Sequence, residues 1–182
     1  PLLDLCAISI AADIVHVTGE NRILAHFGME RLRNGESRPG IAALLQVAAK
    51  NPHELNFRDL GFTIGPRINA AGRMESGLRA VELLRSKEGE AQQDLAHRIQ
   101  QFNTERREVQ KTIFEEAKDQ LDPENYPFSN FLYNPEWHKG VVGIVASKIV
   151  ETRYRPTIVL TKSGGKLAGS ARSVTDFDLY EA

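Results

Sequence analysis

The chain has 182 residues, of which 41% are hydrophobic, enough apolar material for one large core or two small ones. Its formal net charge of −1 excludes a global basic field, so any nucleic-acid site must be local. A single cysteine, Cys6, excludes an intramolecular disulfide framework, and no apolar run or leader pattern suggests membrane insertion, so a soluble, cytoplasmic protein is expected.

Leu2 to Val17 is dominated by Leu, Ile, Ala and Val; its early part predicts a buried helix, with Asp13 where the apolar run gives way. Asn21 to Arg33 carries a helical pattern that puts Ile23, Leu24, Phe27 and Leu32 on one face. Arg38-Pro39-Gly40 breaks it, and Ile41 to Ala49 predicts a short helix before Asn51-Pro52. Leu60 to Arg73, rich in glycine, predicts a structured loop, and a further helix begins in Ala80 to Leu84. From Glu90 to Leu121 apolar residues recur at threes and fours, predicting one helix ended by Pro123 and Pro127. At the usual rise it would span roughly 45–50 Å and join two domains.

Beyond it the pattern alternates between strand and helix: a strand at Phe131 to Tyr133, a helix at Val141 to Thr152 and a strand at Thr157 to Thr161. A Ser163-Gly164-Gly165-Lys166 turn then leads into a hairpin partner, Leu167 to Val174. The expected domains are residues 1–88, a connecting helix at 89–122, and residues 123–182. Both ends look cut: the chain starts at Pro1 without methionine and stops at the expected opening of a helix.

Four groups of residues could carry chemistry. Asp4 and Asp13 sit in an apolar stretch, where a carboxylate must be paired, hydrogen-bonded or metal-bound. A capping role, an internal ion pair and metal ligation all satisfy that demand. Gly65-Pro66-Arg67-Ile68-Asn69-Ala70-Ala71-Gly72-Arg73 places Arg67, Asn69 and Arg73 where guanidinium forks could meet phosphate oxygens. Alternatively, those arginines pair with Glu75 or Asp59. Trp137-His138-Lys139-Gly140 opens a helix, whose N-terminal N–H groups favour an anion. In Gly169-Ser170-Ala171-Arg172-Ser173 a strand directs Ser170 and Arg172 to one side, a geometry suited to gripping one phosphate. The alternatives are an ordinary helix start with Trp137 in the core and a solvent-facing polar edge.

Taken in order, these segments resemble the RecJ family of single-strand-specific exonucleases within the DHH phosphoesterase superfamily. Asp4 to Val15 is similar to that family's fourth motif, Gly65 to Arg73 to its GPR-x-NAAGR segment, and Trp137 to Ser147 with Gly169 to Ser173 to motifs of its accessory DHHA1 domain. The resemblance implies an α/β fold: the C-terminal part of a DHH-type core, joined by a long helix to a smaller α/β DHHA1-type domain. It implies 5′→3′ hydrolysis of single-stranded DNA from a 5′-phosphate end by two Mn2+ or Mg2+ ions. By the same resemblance Asp13 is a catalytic metal ligand, and Arg67, Asn69, Arg73, His138, Gly140, Ser170 and Arg172 bind substrate.

The family's Asp-x-Asp pair and Asp-His-His triplet do not occur in this chain, and His16 stands where the family usually has proline. A fragment is therefore expected, inactive by itself, free of metal, and prone to non-native dimerisation through faces its missing neighbours would cover. Two other readings are a DHH/DHHA1 phosphoesterase acting on short oligonucleotides or nucleoside bisphosphates, and a non-catalytic nucleic-acid-binding scaffold. The former would more typically carry a Gly-Gly-Gly-His motif where this chain has Gly169-Ser170-Ala171-Arg172.

Overall fold

The computed structural model describes residues 2–87, 89–126 and 128–181. Pro127, one of the two expected helix terminators, lies outside them. The fold is α/β, and its internal contacts divide it into two units, Pro1–Thr104 and Glu105–Ala182, with the division inside a long helix.

The first unit is helical. Its elements are α1 (Leu3–Ala12), α2 (Gly19–Arg33), α3 (Pro39–Val47), a 3₁₀ turn (Pro52–Glu54), α4 (Phe57–Asp59), a π-helical turn (Leu60–Ile64), α5 (Gly65–Met74) and α6 (Leu78–Arg85). The first part of α7 (Glu90–Asp119) completes it. Pro39 starts α3 at a position where its missing N–H costs nothing, and Asn56 and Asp59 cap α4 reciprocally. Arg31 and Arg33 close α2 where cations favour the helix dipole. The core is built from Leu32, Ile41, Leu44, Leu45, Leu55, Leu60, Ile64, Leu83, Ile99 and Phe102.

Two sequence expectations are corrected here. Gly65 to Arg73 is a helix, not a loop: Pro66 sits in its first turn, where proline is tolerated, and Ala70 and Ala71 are buried. Its small residues serve packing, since a Cβ on Gly65 would lie 2.9 Å from the Ala12 Cβ. The face of α2 is also different. Ile23 and Phe27 are 57% and 48% exposed, while Ala25, Gly28, Met29 and Leu32 are buried. A Cβ on Gly28 would stand 2.3 Å from the Leu3 carbonyl oxygen, so α1 and α2 meet along small residues rather than large ones.

The second unit holds the rest of α7, then β1 (Asn130–Tyr133), α8 (Lys139–Thr152), β2 (Thr157–Ser163) and β3 (Lys166–Arg172). The sheet order is β1-β2-β3. β1 and β2 are parallel, joined through α8, and β2 and β3 form an antiparallel hairpin. Gly164 and Gly165 make its two-residue turn at φ 58° and 77°, the left-handed pair that a type I′ turn requires. Leu132 pairs with Val159 and Val159 with Ser170, while Thr157 pairs with Arg172. Since side chains alternate along a strand, Ser170 and Arg172 share the sheet face of the buried Leu132, Val159 and Thr157. That face packs on α8, whose Val141, Val142, Val145, Ala146 and Ile149 are buried. Among the described residues, no helix is long and apolar enough to cross a membrane.

Candidate functional site

Arg172 lies at the end of β3, exposed, with its guanidinium laid against α8. Nε donates to the Ser147 hydroxyl at 3.0 Å, and Nη1 donates to the Ser170 hydroxyl at 2.7 Å and to the Ala171 carbonyl at 2.8 Å. All three acceptors are neutral. Among the described residues no carboxylate pairs with Arg172, so the site keeps a full positive charge. A guanidinium has five N–H donors; three are committed, and the two on Nη2 are left for a ligand. Nη2 sits over Gly143, where an added Cβ would come within 3.4 Å of it and 3.2 Å of Ser170 Oγ. The strand periodicity that set Ser170 and Arg172 side by side therefore produces a formed cluster.

His138 is the N-cap of α8, and its Nδ1 accepts from the Gly140 N–H at 3.1 Å. That bond leaves the neutral ring's hydrogen on Nε2, the atom able to donate outward. Trp137 is buried at 4% exposure, and its Nε1 donates to Glu116 at 2.7 Å. His138 does not share a hydrogen bond with Ser170 or Arg172 among the described residues. Ser147 comes nine residues after it on α8, about 13 Å along a regular helix. The helix start and the Ser170–Arg172 pair are thus two stations along one helix.

In the first unit, Asn69 and Arg73 are four residues apart on α5 and both exposed, so they share a face. Arg67 points elsewhere: Nε donates to Gln100 and Nη1 to the Thr63 carbonyl, each at 2.7 Å. Asp59 holds Lys50, and Glu75 holds Arg79 and Arg98.

The two aspartates separate cleanly. Asp4 is 2% exposed and accepts from Arg38 Nε at 3.0 Å, Arg38 Nη2 at 3.1 Å, and the backbone of Arg38 and Leu5. Burial alone would raise its pKa, but those donors and the Arg38 charge outweigh it and hold the carboxyl below its ordinary value. Asp4 is the internal ion pair. Asp13 is the C-cap of α1 and exposed, and among the described residues its carboxylate accepts a hydrogen bond from the Ser9 hydroxyl alone, at 3.4 Å. Among the described residues, no group of three or more His, Cys, Asp or Glu side chains could hold a metal ion. The residues present do not by themselves fit a two-metal centre.

Sequence reasoning missed Ser147 and Gly143 as members of the Arg172 cluster. The signal was their spacing of four in a helix next to the strand, which puts them on one face.

No family model matches the chain. Comparison with curated proteins is more informative: the chain is 42% identical over 188 residues to the single-stranded-DNA-specific exonuclease RecJ of Salmonella typhimurium, a match covering 100% of this chain and 32% of that protein. Its fold superposes on RecJ from Thermus thermophilus, solved in complex with Mg2+, at a TM-score of 0.85 and 31% identity, over 98% of this chain and 27% of that one. Along its whole length, therefore, the chain is similar to a segment of RecJ. A second RecJ structure, bound to manganese, also gives a TM-score of 0.85, at 29% identity, over 100% of this chain and 45% of that one. The chain spans about a quarter to a third of the length of the curated RecJ relatives it matches. The metals in those structures belong to those proteins.

Proposed function

We propose that this chain is part of a single-stranded-DNA exonuclease of the RecJ type, and that its second unit is the DHHA1-like part that holds the DNA. The observation carrying this reading is Arg172: an exposed guanidinium fixed by neutral acceptors, with two N–H groups to spare and a hydroxyl beside it. Such a group suits one phosphate, since Nη2 offers a pair of charge-assisted hydrogen bonds and Ser170 keeps its O–H to donate. Ser170 and Arg172 bind the terminal 5′ phosphate, and His138, its ring oriented by the Gly140 N–H, offers Nε2 to the adjacent backbone. In the first unit, Asn69 and Arg73 on the exposed face of α5 contact the strand, with Arg67 bracing that helix from behind.

Hydrolysis proceeds 5′→3′ and needs Mn2+ or Mg2+, with Asp13 contributing one ligand. The other ligands are not supplied by the described residues, so the chain alone does not cut.

Fluorescence-anisotropy titration of short single-stranded DNA at low salt, 5′-phosphorylated against 5′-hydroxyl, tests the binding reading. The phosphorylated end binds more tightly, and Arg172→Ala removes the difference. Equal binding of the two ends, or a preference that survives Arg172→Ala, sinks it. Metal-dependent digestion by the purified chain would refute the inactivity.

A further inference from the structure

The geometry points to Ser147 as a positioning residue for phosphate recognition, acting through Arg172 and made possible by the open space at Gly143. This rests on the reading of Ser170 and Arg172 as a phosphate site. The two serines that touch the guanidinium play different parts. Ser170 accepts from Arg172 Nη1 at 2.7 Å, and its own O–H stays available to a ligand. Ser147 accepts from Arg172 Nε at 3.0 Å and gives its O–H back to the Gly143 carbonyl at 3.3 Å, one turn earlier on α8. Its one O–H is spent within the protein, so it has no donor for a phosphate; it sets the plane of the guanidinium.

An arginine side chain has many rotamers, and holding one of them in advance lowers the cost of binding. Here Nε is held by α8 and Nη1 by β3, which fixes two edges of a planar fork and directs the third, Nη2, at the surface over Gly143. Any side chain at position 143 would meet both Ser170 Oγ, at 3.2 Å, and Nη2, at 3.4 Å. The missing Cβ and the hydroxyl one turn later thus act together.

The test pairs the anisotropy assay with a direct view of the side chain. Ser147→Ala should cut the preference for a 5′-phosphorylated over a 5′-hydroxyl oligothymidylate about five- to tenfold, with little change for the hydroxyl end. Ser147→Thr, which keeps the hydroxyl, should retain most of it, and Gly143→Ala should lower it as Ser147→Ala does. By NMR, the Arg172 Nε–H should exchange with water severalfold faster in Ser147→Ala than in the unsubstituted protein. An unchanged preference or unchanged exchange in Ser147→Ala overturns the inference, as does a Ser147→Thr variant that falls as far as Ser147→Ala. If Arg172→Ala leaves the preference intact, or none exists to begin with, the phosphate-site reading fails and the positioning role falls with it. Nε–H exchange accelerated by Ser147→Ala would then show that the hydroxyl orders Arg172 for something other than a phosphate.

Discussion

Arg38 in the first unit and Arg172 in the second are both held by several hydrogen bonds, yet only Arg38 has a carboxylate to compensate its charge. Arg38 faces Asp4 through Nε and Nη2 and gives Nη1 to the Leu84 carbonyl. A carboxylate 3% exposed neutralises it, and the pair locks the start of α3 to α1. Arg172 is held instead by two hydroxyls and a carbonyl, which orient it without cancelling its field. The difference teaches that the number of hydrogen bonds to an arginine says little about its role. What matters is whether the acceptors carry charge: a paired guanidinium is structure, and an oriented, uncompensated one is a place for an anion.

The largest effect should come from breaking the first arrangement. Asp4→Ala strands Arg38, still 19% exposed, beside an apolar helix, and should cost about 3 kcal/mol in urea denaturation, the low end for a broken buried pair because the guanidinium retains some water. The pH dependence follows from the sign of the shift. The Asp4 carboxyl lies lower in the folded chain than its ordinary 3.8, so its stabilisation is complete above that pH and is lost as pH falls towards the folded value. Asp59, held low chiefly by the Lys50 hydrogen bond, acts in the same direction. Acid denaturation of Asp4→Asn should therefore lack part of the fall in stability below about pH 4.

A smaller loss is expected from Gly40→Ala, beside the same ion pair. The added Cβ would lie 2.1 Å from the Leu83 carbonyl oxygen, forcing α3 from α6, and overpacking of that kind costs about 1–3 kcal/mol despite alanine's better helix propensity. A melt no lower than that of the unsubstituted chain would show that the α3–α6 approach is slack. The smallest effect sharpens the contrast from the other side. Arg79 is paired twice, with Glu75 at 3.0 Å and Glu82 at 3.1 Å, but all three are exposed to water. Arg79→Ala should leave the thermal midpoint within measurement error, because an ion pair in solvent gains little over its hydrated partners.

Much of this was legible along the chain. The periodicity from Glu90 and the alternation after it mark α7, β1, α8 and the β2–β3 hairpin to within a few residues, and the strand's period of two set Ser170 beside Arg172. Glycines were harder to read. In Leu60 to Arg73 they suggested a loop, but Gly65 and Gly61 are places where helical backbone approaches α1, Gly61 with a virtual Cβ 2.7 Å from the Ala11 carbonyl oxygen. Sequence alone does not tell a glycine that bends a chain from one that makes room for a neighbour.

The sequence by itself determined what is local: the course of α7 and α8, the Gly164-Gly165 turn, and the side to which alternate β3 residues point. These depend on backbone propensities and capping within a few residues. Only the tertiary structure decided which face of α2 is buried, that Asp4 pairs with Arg38 while Asp13 stays exposed, and that Ser147 of α8 meets Arg172 of β3. Each of those joins residues from separate elements, so its energy depends on distances that no stretch of contiguous sequence encodes.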